Sequence, residues 1–113
     1  MVKTISWEEF ENVELKVGTI VKVEDFIGAK KPAYKIWADF GKEIGVKKSS
    51  AQITALYKKE ELIGKQIVGV MNFPAKQIKD FMSEFLTTGF VLDNGDVVLA
   101  VPERKVENGV RLA

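Results

Sequence analysis

An all-β fold rolled into a small barrel is predicted by three features of this 113-residue sequence. Alternation with period two runs from Val13 to Glu24, the pattern of a half-buried strand. Two shorter strand-like segments follow, cut apart by glycine and proline. Near the C-terminus Asn94-Gly95 lies between two apolar runs, the strongest short-range signal for a hairpin.

Ser6-Trp7-Glu8-Glu9 reads as a capping box, in which hydroxyl and carboxylate each satisfy a free amide. A helix of about two turns follows, with Trp7 and Phe10 on one face. Val13, Leu15, Val17, Thr19, Val21 and Val23 then form the inward face of a long first strand, with Gly18 as the point where a barrel strand bends. Ile27 to Pro32 is a loop. Tyr34, Ile36, Ala38 and Phe40 line the inside of a second strand, and Lys35, Trp37 and Asp39 point outward. A third strand runs from about Glu43 towards Ile53, with a bulge or early exit near Val46–Ser49. Thr54 to Gly64 is a helix with Thr54 as cap. Gln66 to Phe73 is a fourth strand ended by Pro74, and the hairpin around Asp93–Asp96 closes the domain. Three strands, a helix, a return strand and a closing hairpin is the order of the OB-fold, a five-stranded Greek-key barrel. A flattened β sandwich is the competing architecture.

Residues 1–113 make one domain, since a 12.6 kDa chain builds a single core. Residues 1–12 and 102–113 are expected to serve a homodimer: the helix is too short to be stable alone, and the tail holds Val106, Val110 and Leu112. The alternative is that the helix plugs its own barrel. The first residues lack the apolar run of a signal peptide, and no stretch is long enough for a membrane span; a cytoplasmic protein is expected.

The chain has no cysteine and no histidine. Thiol nucleophiles, disulfides, the usual zinc ligands and His-based triads are therefore excluded. Asp93, Asn94 and Asp96 lack the remaining spacing of a calcium loop, and no phosphate-loop glycine pattern or acid–base carboxylate pair occurs. No cofactor, no metal and no catalysis are expected, which favours a binding module. Net charge is only +1, so a nucleic-acid partner requires a local patch. One exists: residues 26–48 hold six lysines against Asp39 and Glu43. Lys30, Lys31, Lys35, Lys47 and Lys48 fall on the loops and strands where an OB-fold holds nucleic acid. Such lysines equally serve as a solubilising surface. Trp37, an aromatic ring on a polar face, offers a stacking platform for a base; packing under the helix or against a second subunit explains it as well. Ser49, Ser50, Gln52 and Asn72 add neutral hydrogen-bonding groups at strand ends.

These segments resemble the CsaA proteins. The resemblance rests on Val17-Gly18-Thr19-Ile20-Val21, Lys30-Lys31-Pro32-Ala33-Tyr34-Lys35-Ile36, Asp39-Phe40-Gly41, Lys47-Lys48-Ser49-Ser50-Ala51-Gln52-Ile53-Thr54 and Asn72-Phe73-Pro74-Ala75-Lys76-Gln77-Ile78. CsaA proteins fall within a wider tRNA-binding domain group that includes the C-terminal appendage of many methionyl-tRNA synthetases. The resemblance implies a non-enzymatic OB-fold homodimer that grips tRNA or other structured RNA by shape. It also implies an export-related chaperone that binds unfolded peptides and a secretion ATPase. Carried over by position, the binding surface comprises Lys47, Lys48, Ser49, Ser50, Gln52, Asn72, Phe73, Lys76 and Gln77. The wider group commonly has Ser-x-Gly-Met where this chain has Ser83-Glu84-Phe85-Leu86. The Phe85 ring removes a close backbone approach and favours a pocket for apolar peptide side chains near Phe73 and Phe85, rimmed by Ser49, Ser50 and Gln52; Ser83 is counted among the binding residues.

Overall fold

The computed structural model describes residues 2–113. Its centre is β1 (Leu15–Asp25), which pairs antiparallel with two partners along its length. The first part, from Leu15 to Thr19, pairs with β4 (Gln66–Val70); the second, from Thr19 to Asp25, pairs with β2 (Tyr34–Asp39). Adding β3 (Val46–Ala51) beside β2 and β7 (Leu86–Thr87) beside β4 gives a five-stranded sheet in the order β3-β2-β1-β4-β7. One strand thus serves both halves of a curled sheet, as a small barrel requires.

The sheet closes where β3 meets the residues leading into β7. The Glu84 amide donates to the Lys48 carbonyl at 2.8 Å, and the Ser50 amide to Ser83 Oγ at 3.1 Å. Inside the seam Thr87 Oγ1 donates to Ser49 Oγ at 3.2 Å. The expected barrel is therefore the observed one, an OB-fold.

Its core is built from the inward face of β2 as the alternation predicts: Tyr34, Ile36, Ala38 and Phe40 are all buried, with Ile20, Ile67, Leu62 and Phe85 packed around them. Each buried Ile, Leu or Phe side chain among them contributes about 1.5–3 kcal/mol. Phe40 meets Phe85 edge to face at 4.9 Å between ring centroids. The chain passes this pair on glycine, because a Cβ at Gly18 would lie 2.7 Å from the Phe40 ring and one at Gly69 2.8 Å from the Phe85 ring. Close approach, beyond any bend, is what Gly18 provides.

Several element assignments are corrected. The irregularity expected in β3 lies in β1: pairing with β2 shifts between Ile20 and Lys22, while the β2–β3 ladder is regular. The bulge turns Ile20 into the core and leaves Val21 half exposed, the reverse of simple alternation. The long helix expected over 54–64 is the single turn α2 (Lys59–Leu62), started by the Lys58 amide donating to Glu61 Oε1 at 2.7 Å. Lys59 ties it to β1 through Asp25 at 2.8 Å; that hydrogen bond and the carboxylate charge raise the Lys59 pKa above its ordinary value. The fourth strand ends at Val70, and the stretch after it contains a hairpin that alternation did not reveal, β5 (Lys76–Ile78) with β6 (Phe81–Ser83). Beyond β7, the Asn94-Gly95 hairpin forms as predicted from β8 (Gly89–Val91) and β9 (Val97–Leu99).

The ends also have defined places. α1 (Trp7–Glu11) carries the predicted capping box, with the Ser6 amide donating to Glu9 Oε1 at 2.9 Å and the Glu9 amide to Ser6 Oγ at 3.1 Å. It does not plug the barrel: none of its residues is buried, and Trp7 is 80% exposed. The tail turns at Asn108-Gly109 and lies along β1, the Gly109 amide donating to the Val17 carbonyl at 2.7 Å and the Leu112 amide to the Leu15 carbonyl at 2.9 Å. No helix among the described residues is long and apolar enough to cross a membrane.

The glycine contact gives a direct test. Gly18→Ala is expected to cost about 1–3 kcal/mol through overpacking, read as a lower urea midpoint with unchanged slope. Combined with Phe40→Leu, which removes ring atoms from the same spot, the added methyl is expected to cost less than it does alone. Strict additivity of the two changes would contradict the contact.

Candidate nucleic-acid interface

The outer face of β2 and β3 holds a second, smaller apolar cluster outside the barrel. Phe26 and Ala33 come from the loop before β2 and Phe81 from the β5–β6 hairpin, all buried, with Trp37 and Ile78 packed against them. The Phe81 ring stands edge-on to Phe26 at 5.5 Å and to Trp37 at 6.0 Å. The hairpin thus lies across the face on which an OB-fold ordinarily stacks bases, with Phe81 against the tryptophan expected to serve as platform.

Lysines surround these rings. Lys35 Nζ lies 5.0 Å from the Phe26 centroid and 5.3 Å from Phe81, Lys48 Nζ lies 5.5 Å from Phe81, and Lys22 Nζ lies 4.4 Å over Trp37. Each such cation–π contact contributes about 0.5–1 kcal/mol at an exposed site. Lys22 also pairs with Glu24 at 3.2 Å, and an ammonium over a ring keeps N–H donors for a further acceptor. Lys30 and Lys31 are exposed on the adjoining loop. Lys79, at the hairpin tip with φ 54°, runs beside Gly28 of that loop.

Lys22 and Lys79 were not among the residues singled out from sequence. Lys22 joins the face because the β1 bulge sets it directly opposite Trp37, and residues paired across a ladder share a face. Lys79 joins through the hairpin. Plain alternation already turns Lys22 outward, between Val21 and Val23; what it does not give is the register opposite Trp37, which the bulge sets.

The remaining predicted residues divide into two groups. Ser50, Gln52, Phe73, Lys76, Gln77, Ser83 and Phe85 all line one cleft of about 800 Å³ between the end of β3 and the β5–β6 hairpin. Phe73 is 57% exposed at its edge, whereas Phe85 is 4% exposed and belongs to the barrel core as much as to the cleft. Three residues stand apart. Lys47 pairs with Ala38 and Lys48 with Trp37, so the two neighbouring lysines point to opposite faces of β3. Ser49 is fully buried, its Oγ donating to the Ser50 carbonyl at 3.0 Å. Asn72 is occupied on both sides of its amide: Oδ1 accepts from the Glu14 amide at 2.9 Å and Nδ2 donates to the Asn12 carbonyl at 2.6 Å. That clamp fixes α1 to the start of β1. Among the described residues no group of three or more Asp or Glu side chains is placed to hold a metal ion.

Comparison with known proteins agrees with this geometry. The family model described as "Putative tRNA binding domain" matches residues 15–111. A crystal structure of chaperone CsaA from Bacillus anthracis superposes with a TM-score of 0.92 at 44% identity, covering 98% of this chain and 100% of that one. The CsaA chaperone protein of Picrophilus torridus gives 0.91 at 47% identity, covering 97% and 100%. The methionine–tRNA ligase of Pyrococcus furiosus is 32% identical over 109 residues, which are 96% of this chain and 14% of the ligase. The chain therefore spans only a small part of the length of that curated relative. A barrel closed through β3, a lysine-ringed outer face and a match over nearly its whole length lead to one assignment: the chain belongs to the tRNA-binding domain family, as a CsaA-like member.

Proposed function

We propose that the protein is a non-catalytic module that binds structured RNA, tRNA in the first instance, on the outer face of β2 and β3. The observation that carries this reading is the ring of ammonium groups from Lys22, Lys35 and Lys48 seated over Trp37, Phe26 and Phe81. With Phe81 packed on Trp37, phosphate contacts supply most of the affinity and carry little base sequence. Recognition then follows the shape of the RNA backbone. Family membership and the tRNA ligase among the relatives support the same partner, and a cytoplasmic setting accords with it.

A second reading, an unfolded polypeptide as ligand, is favoured by the cleft floored by Ala51, Ile53, Phe85 and Val97 and by the word chaperone in the names of the two CsaA neighbours. Salt separates the two. Phosphate binding loses about one log unit of affinity per log unit of salt for each phosphate neutralised, whereas apolar burial weakens little or strengthens. Lys48→Glu is expected to weaken tRNA binding by about tenfold or more and to flatten the salt slope by about one unit. Lys42→Glu, in the turn before β3, serves as the control and is expected to change neither. Wild-type affinity that ignores salt would overturn the RNA reading in favour of the polypeptide.

We also propose that the working form is a homodimer. Trp7 on α1, and Phe90 and Val91 on β8 at 65% and 73% exposure, leave large apolar surface uncovered, which a self-complementary two-fold contact would bury. The tail contributes through Val110 and Leu112, which remain half exposed after it docks on β1. Sedimentation at micromolar concentration is expected to give twice the chain mass, and Trp7→Glu with Phe90→Glu to give a folded monomer. A wild-type chain that sediments as a monomer would contradict the dimer.

A further inference from the structure

The cleft beside β3 has a chemistry of its own. At about 800 Å³ it falls in the range of small-molecule sites, roughly 300–1,000 Å³. Its floor is apolar, while Ser50, Gln52, Gln77 and Thr87 bring neutral donors and acceptors to its walls. Among the described residues no carboxylate lines it, and Lys76 is its one charged lining residue. An apolar slot with amides at the rim and a cation at the mouth suits a group that is flat, uncharged and polar at its edge, attached to something anionic.

Its position sharpens this. Ser50, in the wall, lies two residues along β3 from Lys48, and the Ser50 and Lys48 partners in the ladder are Lys35 and Trp37. Residues two apart on a strand share a face and lie about 6.5 Å from each other. The cleft is therefore continuous with the row of lysines, at a distance that one nucleotide spans. Phe81 already packs against Trp37. Phe73, more than half exposed at the edge of the cleft, is the aromatic surface left open beside the lysines.

We propose that this cleft takes one unpaired nucleobase of the bound RNA, stacked against Phe73 with its edge towards the Gln52 amide and its phosphate near Lys76, while Lys48 holds the backbone of the adjoining helix. This rests on the RNA-binding reading above and adds to it: the module grips a backbone and also selects for an unpaired nucleotide next to a helix. An amide presents both a donor and an acceptor, so purines and pyrimidines are both accommodated.

The test compares two RNAs by fluorescence anisotropy: a blunt duplex, and the same duplex with a single unpaired 3′ nucleotide. Base–aromatic stacking predicts that the second binds about tenfold tighter. Phe73→Ala and Gln52→Ala are each expected to bring that ratio towards one. Lys48→Glu is expected to weaken both RNAs together and keep the ratio. Phe73 is exposed, and thermal unfolding of its variant checks that the barrel persists; Gln52→Ala gives the second, independent reading. Equal affinity for the two RNAs would overturn base capture and leave the RNA reading standing. Binding of neither RNA would overturn the RNA reading itself. A denatured protein that binds the wild-type chain and loses affinity in Phe73→Ala, with no preference between the RNAs, would assign the cleft to polypeptide instead.

Discussion

The packing of Phe81 against Phe26 and Trp37 is the contact on which the functional surface depends. Two strands of three residues each are too short to stand alone, and β5 and β6 make up a separate two-stranded sheet. The hairpin holds its place because Phe81 is buried in the outer cluster and because Ser83 and Glu84 are hydrogen-bonded to β3. From that anchor follow both features argued above. The lysines of β1, β2 and β3 acquire rings to sit over, and the far side of the hairpin becomes a wall of the cleft. Barrel and proposed binding surface are thus coupled through β3, which has its inner face in the core and its outer face beside the lysines.

The same coupling explains why two neighbouring residues do different work. Along β3, Ser49 and Ala51 face the interior while Lys48 and Ser50 face out. A lysine-serine run that reads as one functional motif is in fact interleaved. Half of it closes the barrel, through Ser49 and Thr87, and half lies on the proposed RNA-binding face.

Much of the fold was legible in the sequence where one strand had one buried face. The β2 alternation, the capping box of α1 and the Asn-Gly hairpin each follow a local rule, and each forms as expected. The first strand was legible in extent and misread in facing, because one bulge reverses which residues point inward. Ile20 and Val21 exchanged places, and Lys22 came to face Trp37. The helix over 54–64 failed for a different reason: a turn at Thr54–Leu56 and the long-range hydrogen bonds of Tyr57, accepted from the Tyr34 hydroxyl and the Leu99 amide, interrupt it, and only Lys59–Leu62 is helical. The β5–β6 hairpin has no periodic signal, since its strands are shorter than the window in which alternation can be counted. Residue type alone could not separate the structural amide of Asn72 from the exposed one of Gln52. Their roles are decided by partners far away in the chain, Asn12 and Glu14 in the first case.

The proposed seat of RNA, the outer face of β2 and β3 framed by the β5–β6 hairpin, is checked by mapping amide and indole chemical shifts of the isotopically labelled protein during titration with tRNA. The largest changes are expected on Lys22, Lys35, Lys48, Ser50 and the Trp37 indole, with β8, β9 and α1 little affected. Changes concentrated on α1 and the β8–β9 hairpin, with the Trp37 indole unmoved, would contradict it.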